Sequence, residues 1–281
     1  MAAADAVVAA ARAGEPDRYL AALLAPLQAR AGLLALAAFA AEVARVPYAA
    51  GSEPAVGEFR LQWWRDALQV ADEHAHSGHP IADAVRAAAR RYALPWPLLL
   101  EPVEARSLEL AGESLANDAA LKTYLWKSEG ALFAVAGRIL APGDAAAIDA
   151  AAAASGQAYG LARLLLRLPG TLGRGRLLLP QSRLEAAGVA RSELLSGTAG
   201  PGVAGLLAGL RDEVRQSLVT SRQHVANLPR GARAAFLPLA LVRSYLRALE
   251  RPGRDVLRES VEIAPLTRVL RIAAAHWSGR T

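Results

Sequence analysis

Residues 156–180 read GQAYGLARLLLRLPGTLGRGRLLLP. The stretch predicts a helix to about residue 168, a Gly-rich loop over 169–176, and a short apolar run closed by Pro180. Arg163 and Arg167 stand four apart on one face of that helix. Two guanidiniums so placed can grip an anionic head group, or pair with acids of neighbouring helices. GTLGRGR at 170–176 has the glycines of a phosphate loop but neither the preceding strand nor a Lys-Ser/Thr ending, so it does not read as a nucleotide-binding loop.

The same alternation of helix and breaker extends over the chain. One helix is expected from about Pro16 to Val46, kinked or broken at Pro26 and closed by Pro47 and Gly51. Ser52 is a candidate N-cap for the next, with Pro54 in its first turn. Residues 72–80 read as a loop. Further helices are expected near 81–93, 97–112, 118–140, 144–168, 203–227, 230–250 and 264–277, with a turn at Pro142-Gly143 and Asp144 as a cap. SGTAGPG at 196–202 reads as an interhelical loop. No strand pattern and no repeat is visible.

Composition agrees. The 281 residues are 53% hydrophobic, dominated by Ala, with only 5% aromatic and no Cys. Ala favours helix, so an all-α chain is expected, without disulfides or thiolate metal sites. The net charge of +6 suits an acidic partner, but the arginines are dispersed among acids and the only lysines are Lys122 and Lys127. No basic block or aromatic platform points to nucleic acid. The N-terminus is a poor signal peptide, and the apolar segment Ala31–Ala41 is too short to span a bilayer. The sequence DEHAHSGH at 72–79 offers His and acids, but its spacing matches no closed metal site, and a solvated loop is expected. His224 and His276 are isolated, and no nucleophile elbow is present.

The opening stretch resembles the second signature of the squalene/phytoene synthase family, a helix GxAxQxxNxxRDxxxD leading to GRxYLP. Gly156, Ala158, Leu161, Gly175, Arg176, Leu179 and Pro180 fall on that pattern. Where the family has its Asn and two Asp, this chain has Arg163, Arg167 and Thr171. The first signature, FxRxxDDxxD, corresponds to LLALAAFAAEVARVPYAAG at 33–51. Phe39 matches, while the acid positions fall near Ala44, Arg45 and Tyr48, and Glu42 has no second acid at four-residue spacing. Two acids four apart share a helix face and can bridge Mg²⁺ to a diphosphate; neither signature keeps such a pair.

GEFRLQWWRDAL at 57–68, after Ser52-Glu53-Pro54, resembles a synthase-like subfamily that includes an assembly factor for mitochondrial respiratory complex I. Gly57, Arg60, Gln62, Trp63, Trp64 and Asp66 stand in the expected places. Read physically, this helix is apolar on more than one side, with Trp packing in the core as the default.

The resemblance implies the all-α isoprenoid-synthase fold, helices around a central apolar cavity, as one domain over 1–281 with a poorly ordered segment at about 1–15. It implies a non-catalytic member acting as an assembly or binding factor. The partner would be a protein, with a respiratory complex subunit as candidate, and the cavity could hold a lipid or prenyl ligand. A cytoplasmic location follows, with peripheral contact at the inner membrane face as a further expectation. Arg45, Tyr48, Arg60, Arg163, Arg167 and Arg176 are the expected ligand-binding residues, and no metal or cofactor is expected. The alternative is a Mg²⁺-dependent prenyl transferase joining two prenyl diphosphates head to head, with a rearranged acid set of Glu42, Glu58 and Asp66.

Overall fold

The computed structural model describes residues 2–51, 53–70, 76–112 and 114–279. Helices α1 (Ala2–Gly14), α2 (Pro16–Leu24) and α3 (Leu27–Ala49) open the chain, followed by α4 (Pro54–Gln69), α5 (Pro80–Arg91) and α6 (Trp96–Ala111). Helices α7 (Asp118–Leu125) and α8 (Ala131–Leu140) are joined by a π-helical turn, Trp126–Gly130. Helices α9 (Ala145–Ser155) and α10 (Leu161–Leu172) are joined by another, Gly156–Gly160. Short α11 (Gln181–Ala186) and α12 (Arg191–Leu195) lead to the long α13 (Pro201–Ala226). A 3₁₀ stretch (Ala232–Leu241), α14 (Val242–Leu249) and α15 (Pro265–Ser278) complete the chain. The described residues contain no strand, only a bridge between Leu115 and Pro180.

Helix α3 is the core element. It is apolar over most of its length, and Leu33, Leu36, Phe39, Val43 and Val46 are buried in it, with its few polar residues, such as Glu42 and Arg45, at the surface. At 23 residues it is longer than the apolar segment read from the sequence, and long and apolar enough to cross a membrane. Here its sides are covered by α1, α2, α5, α6 and α8. The break before it lies at Pro26, where Ala25 is forced to an extended ψ of 161°. Pro47, expected to end it, is buried inside it. The hydrogen bond that Pro47 forgoes is one near the helix end, and burial of Val43, Val46 and Pro47 itself outweighs it.

Several expectations need correction. The segment expected to be poorly ordered forms α1 over residues 2–14, because Val7 and Ala11 are buried and Gly14 lets the helix approach Ala41 on α3. Helix α10 runs on through Pro169 to Leu172, into the expected loop, with Leu168 and Leu172 buried either side of the proline. Asp144 precedes α9 but makes no side-chain cap bond. Ser52, like Asp72, Glu73 and His74 of the polar loop, lies outside the described residues; Glu53 is the residue before α4, without a capping side-chain bond.

The two π-helical turns pack against each other. A Cβ on Gly156 would stand 2.8 Å from the Cα and 2.9 Å from the N of Gly130, so only glycine allows this approach. Around the turns lies a buried ionic network. Arg163 of α10 makes two parallel bonds of 2.7 Å to the Glu15 carboxylate. Arg18 of α2 donates to Glu15 at 2.9 Å and to Glu129 of the first π turn at 2.7 Å. Arg163 lies 3.4 Å from the other Glu129 oxygen. Beside it, Asp17 accepts a bond of 2.7 Å from the Tyr159 hydroxyl, another from Tyr245, and pairs with Arg268 of α15 at 2.7 Å. The Arg18 guanidinium also covers the rings of Phe133 and Tyr159, at 5.1 and 5.3 Å. Burial by itself would raise the Glu15 and Glu129 carboxyls, but Arg163 and Arg18 outweigh it and hold both below the usual range, Glu15 well below.

Two predictions follow from this packing. Gly→Ala in an open helical position stabilises by about 0.5–1 kcal/mol, whereas overpacking against backbone costs about 1–3 kcal/mol. Thermal melts should therefore show Gly156→Ala lowering Tm and Gly209→Ala, which meets nothing on exposed α13, raising it. The second concerns acid. Carboxyls depressed in the folded chain contribute stability in full above about pH 5 and lose it progressively as pH falls from the unfolded value of about 4.3 down through their lower folded values. Tm should drop across that window, and Glu15→Gln should lower the unfolding free energy at neutral pH by about 3 kcal/mol while flattening the drop. An unchanged acid slope in Glu15→Gln would show that this carboxylate is not what titrates.

Candidate functional site

The positions of the two family signatures meet in one narrow cleft. Tyr48, near the end of α3, faces Arg163, Arg167 and Thr171 of α10, with Glu109, Tyr124, Ser128, Glu129 and Leu178 completing the lining. The Gly-rich loop closes one end: Arg176 donates to the Pro47 carbonyl at 2.9 Å, and the Arg174 guanidinium stands 4.8 Å over the Tyr48 ring. The open space is about 20 Å³, room for about one water. Below it Arg18, bound to Glu129, roofs an apolar void among Ala21, Ala22, Leu33, Leu36 and Ala136, again about 20 Å³. The helices thus enclose a divided space far smaller than the roughly 300–1,000 Å³ of typical ligand pockets.

Both acids of the cleft are engaged. Glu129 pairs with Arg18 and Arg163. Glu109 pairs with buried Arg106 and accepts the Tyr124 hydroxyl at 2.7 Å; burial first, and then Glu109, push the Tyr124 hydroxyl well up, so it stays a donor. Half-buried Arg167 is different: no hydrogen bond or ion pair of its own is found among the described residues, and it feels Glu15 and Glu129 only at longer range. Mg²⁺ wants near-octahedral oxygen ligands, including carboxylates free to bind it. This lining offers two cations, Arg163 and Arg167, and Thr171 where such ligands would stand, and no cluster of three metal-ligating side chains occurs among the described residues. The residues present do not fit a Mg²⁺–diphosphate site.

The six residues expected to bind ligand divide between two places. Tyr48, Arg163 and Arg167 line the cleft, and Arg176 braces it from behind. Arg45 and Arg60 instead line an outer groove of about 330 Å³ with Glu42, Phe59, Trp63, Trp64 and His79. Trp64 is core, edge-on to Phe39 at 5.2 Å, while Trp63 and Phe59 stand at the exposed rim. His79 caps α5 by accepting from the Ala82 amide at 3.4 Å.

The acids proposed for a rearranged catalytic set are not brought together. Glu42 pairs with Arg45 at 3.3 Å in the outer groove. Glu58 accepts from Arg65 at 2.9 Å and from Ser107 at 3.0 Å. Exposed Asp66 accepts from Gln62 at 2.8 Å. Sequence reading overlooked Glu15, Asp17, Arg18, Arg106, Glu109 and Glu129. A usable signal was present in part: Arg163 and Arg167 on an otherwise apolar helix demand acids, and Glu15 and Asp17 open a helix through Pro16.

Comparison with known proteins bears on this arrangement. The squalene/phytoene synthase family model matches residues 11–268. Complex I assembly factor 6 of rat is 26% identical over 94% of this chain and 79% of its own length. Phytoene synthase of Thermus thermophilus is 28% identical over 96% of this chain and 91% of its own. Among solved structures, a dehydrosqualene synthase superposes with a TM-score of 0.78 at 14% identity, covering 99% of this chain and 96% of the other. Squalene synthase HpnC from Alicyclobacillus acidocaldarius gives 0.72 at 19% identity, covering 90% and 94%. These likenesses show the isoprenoid-synthase fold, and with a match over most of its length the chain belongs to the squalene/phytoene synthase family.

Proposed function

We propose that this chain is a non-catalytic member of its family that works by binding a protein partner in the assembly of a respiratory complex of the complex I type. The observation that carries this reading is the cleft itself. Arg163, Arg167 and Thr171 stand where a synthase needs its Asn and acids, and the two carboxylates present are bound to guanidiniums. A departing diphosphate needs metal ions held by free carboxylates, and two prenyl chains need far more than about 20 Å³. The likeness to complex I assembly factor 6 supplies the partner class.

A second reading, a head-to-head prenyl transferase, draws support from the Thermus thermophilus phytoene synthase, which is as similar as the assembly factor. It requires Glu42, Glu58 and Asp66 to converge after a rearrangement that breaks four side-chain contacts.

Incubation with farnesyl or geranylgeranyl diphosphate and Mg²⁺ separates the two. No diphosphate release above a protein-free blank is expected. Release that is abolished by Glu58→Gln would overturn the binding reading in favour of the transferase. In a strain lacking the chain, native gels should show loss of assembled complex I, restored equally by the wild type and by Glu58→Gln.

A further inference from the structure

Helix α15 has two apolar faces, and only one is covered. Ile272 and Ala275 are buried against the body of the molecule, and Arg268 on the same side reaches Asp17. Leu266, Leu270 and Trp277 follow at i, i+4 and i+11, which puts them on one stripe of the opposite side. Their exposures are 68%, 59% and 80%, with Val269 beside them. Across a cleft from Trp277 stands Leu27 at the start of α3, 77% exposed. Large apolar side chains scattered singly are normal on a surface; a helical stripe ending in Trp is not.

The charge in the cleft beside Trp277 is of one sign. The cleft shared by Leu27 and Trp277, about 830 Å³, is also lined by Arg30, Arg230, Arg233 and His276, and no acid among the described residues lines it. Backbone carbonyls hold two of these guanidiniums at the rim: Arg30 donates to Ala25 at 2.9 Å, and Arg233 to Leu228 at 3.0 Å and to Ala226 at 2.8 Å. Such bonds fix position without neutralising charge. Helix α15 carries no acid; of its two arginines Arg268 is taken by Asp17 on the buried side, and Arg271 is exposed. Leu266, Leu270 and Trp277 form a linear exposed stripe along one helix face, with Trp277 and Leu27 at the mouth of the basic cleft, and an apolar stripe beside clustered guanidiniums suits insertion into a lipid surface. Trp prefers the boundary between head groups and acyl chains, and guanidiniums bind phosphate.

We propose that the α15 stripe, with Leu27 and the Arg30–Arg230–Arg233 cleft, seats this protein on an anionic lipid bilayer. The stripe side chains enter the acyl boundary and the arginines take head-group phosphates, the arrangement of an interfacial amphipathic helix. The proposal is independent of whether the inner cleft is catalytic.

Flotation of the full chain with vesicles tests it, using phosphatidylcholine alone or mixed with phosphatidylglycerol, at low and high salt. The wild type should float with the anionic vesicles at low salt and much less at high salt. Leu270→Ser with Trp277→Ser should cut binding at least about tenfold, since each removes apolar surface from the lipid. Both sites are exposed, so an unchanged circular dichroism melt verifies the fold. Arg230→Glu should weaken binding to anionic vesicles only. A wild type that stays in solution at low salt overturns the proposal, as does a double variant that floats as well as the wild type. Self-association abolished by the double variant, without vesicle binding, would mean that a second copy covers the stripe instead.

Discussion

The paired bonds between Arg163 and Glu15 join the beginning of the chain to its middle, at a depth where a guanidinium without a carboxylate would be left largely desolvated. That constraint propagates. Arg18 adds a second cation beside Glu15, Glu129 must reach both arginines to balance it, and the π turn carrying Glu129 must touch the π turn below Arg163. Asp17, one residue from Arg18, extends the network to α14 and α15 through Tyr245 and Arg268. Replacing such a network by well-packed apolar residues is often neutral or stabilising, so its presence speaks for specification of one arrangement more than for raw stability.

The network also decides what the interior can do. A helix face that would hold a metal cluster when furnished with acids becomes a cross-brace when furnished with Arg163, and the acids that answer it come from elsewhere: Glu15 and Glu129. The enclosed space is consequently small, and the openings of useful size lie outside: the groove beside Trp63 and Trp64, and the cleft under Trp277. The fold is that of the synthase family, and these larger openings, where aromatic and guanidinium groups are adjacent, lie on the surface.

Much of the fold was legible because it rests on local rules. Ala-rich helices, the break at Pro26, the turn at Pro142-Gly143 and the start of α4 at Pro54 all follow from propensity and missing amides. The family itself was legible in Gly156, Gly175, Arg176 and Pro180, residues whose roles are steric or backbone-directed. Long-range pairing was not legible. Nothing local distinguishes Glu15 from a solvated acid, since its burial depends on α1 docking through Gly14 onto Ala41. The same holds for the outer groove: Arg45 and Tyr48 lie three residues apart on one helix, yet they line different cavities, Arg45 with residues of α4 and Tyr48 with residues of α10. Pro47 and Pro169 misled for a related reason, as each sits where tertiary burial compensates a missing amide.

The π turns at Trp126–Gly130 and Gly156–Gly160 have one more effect. A π turn accommodates an extra residue, so it acts as a phase shift: everything after it is rotated by about 100° from where an unbroken α-helix would have carried it. Two such shifts, facing each other across the Gly130–Gly156 contact, set the azimuth of Glu129 and of Arg163 independently of the helices that precede them. A wheel drawn straight through α9 into α10 would therefore turn Arg163 toward the wrong neighbour. In this chain the length of a five-residue turn, rather than the identity of any acid or base, sets which way the interior charges point.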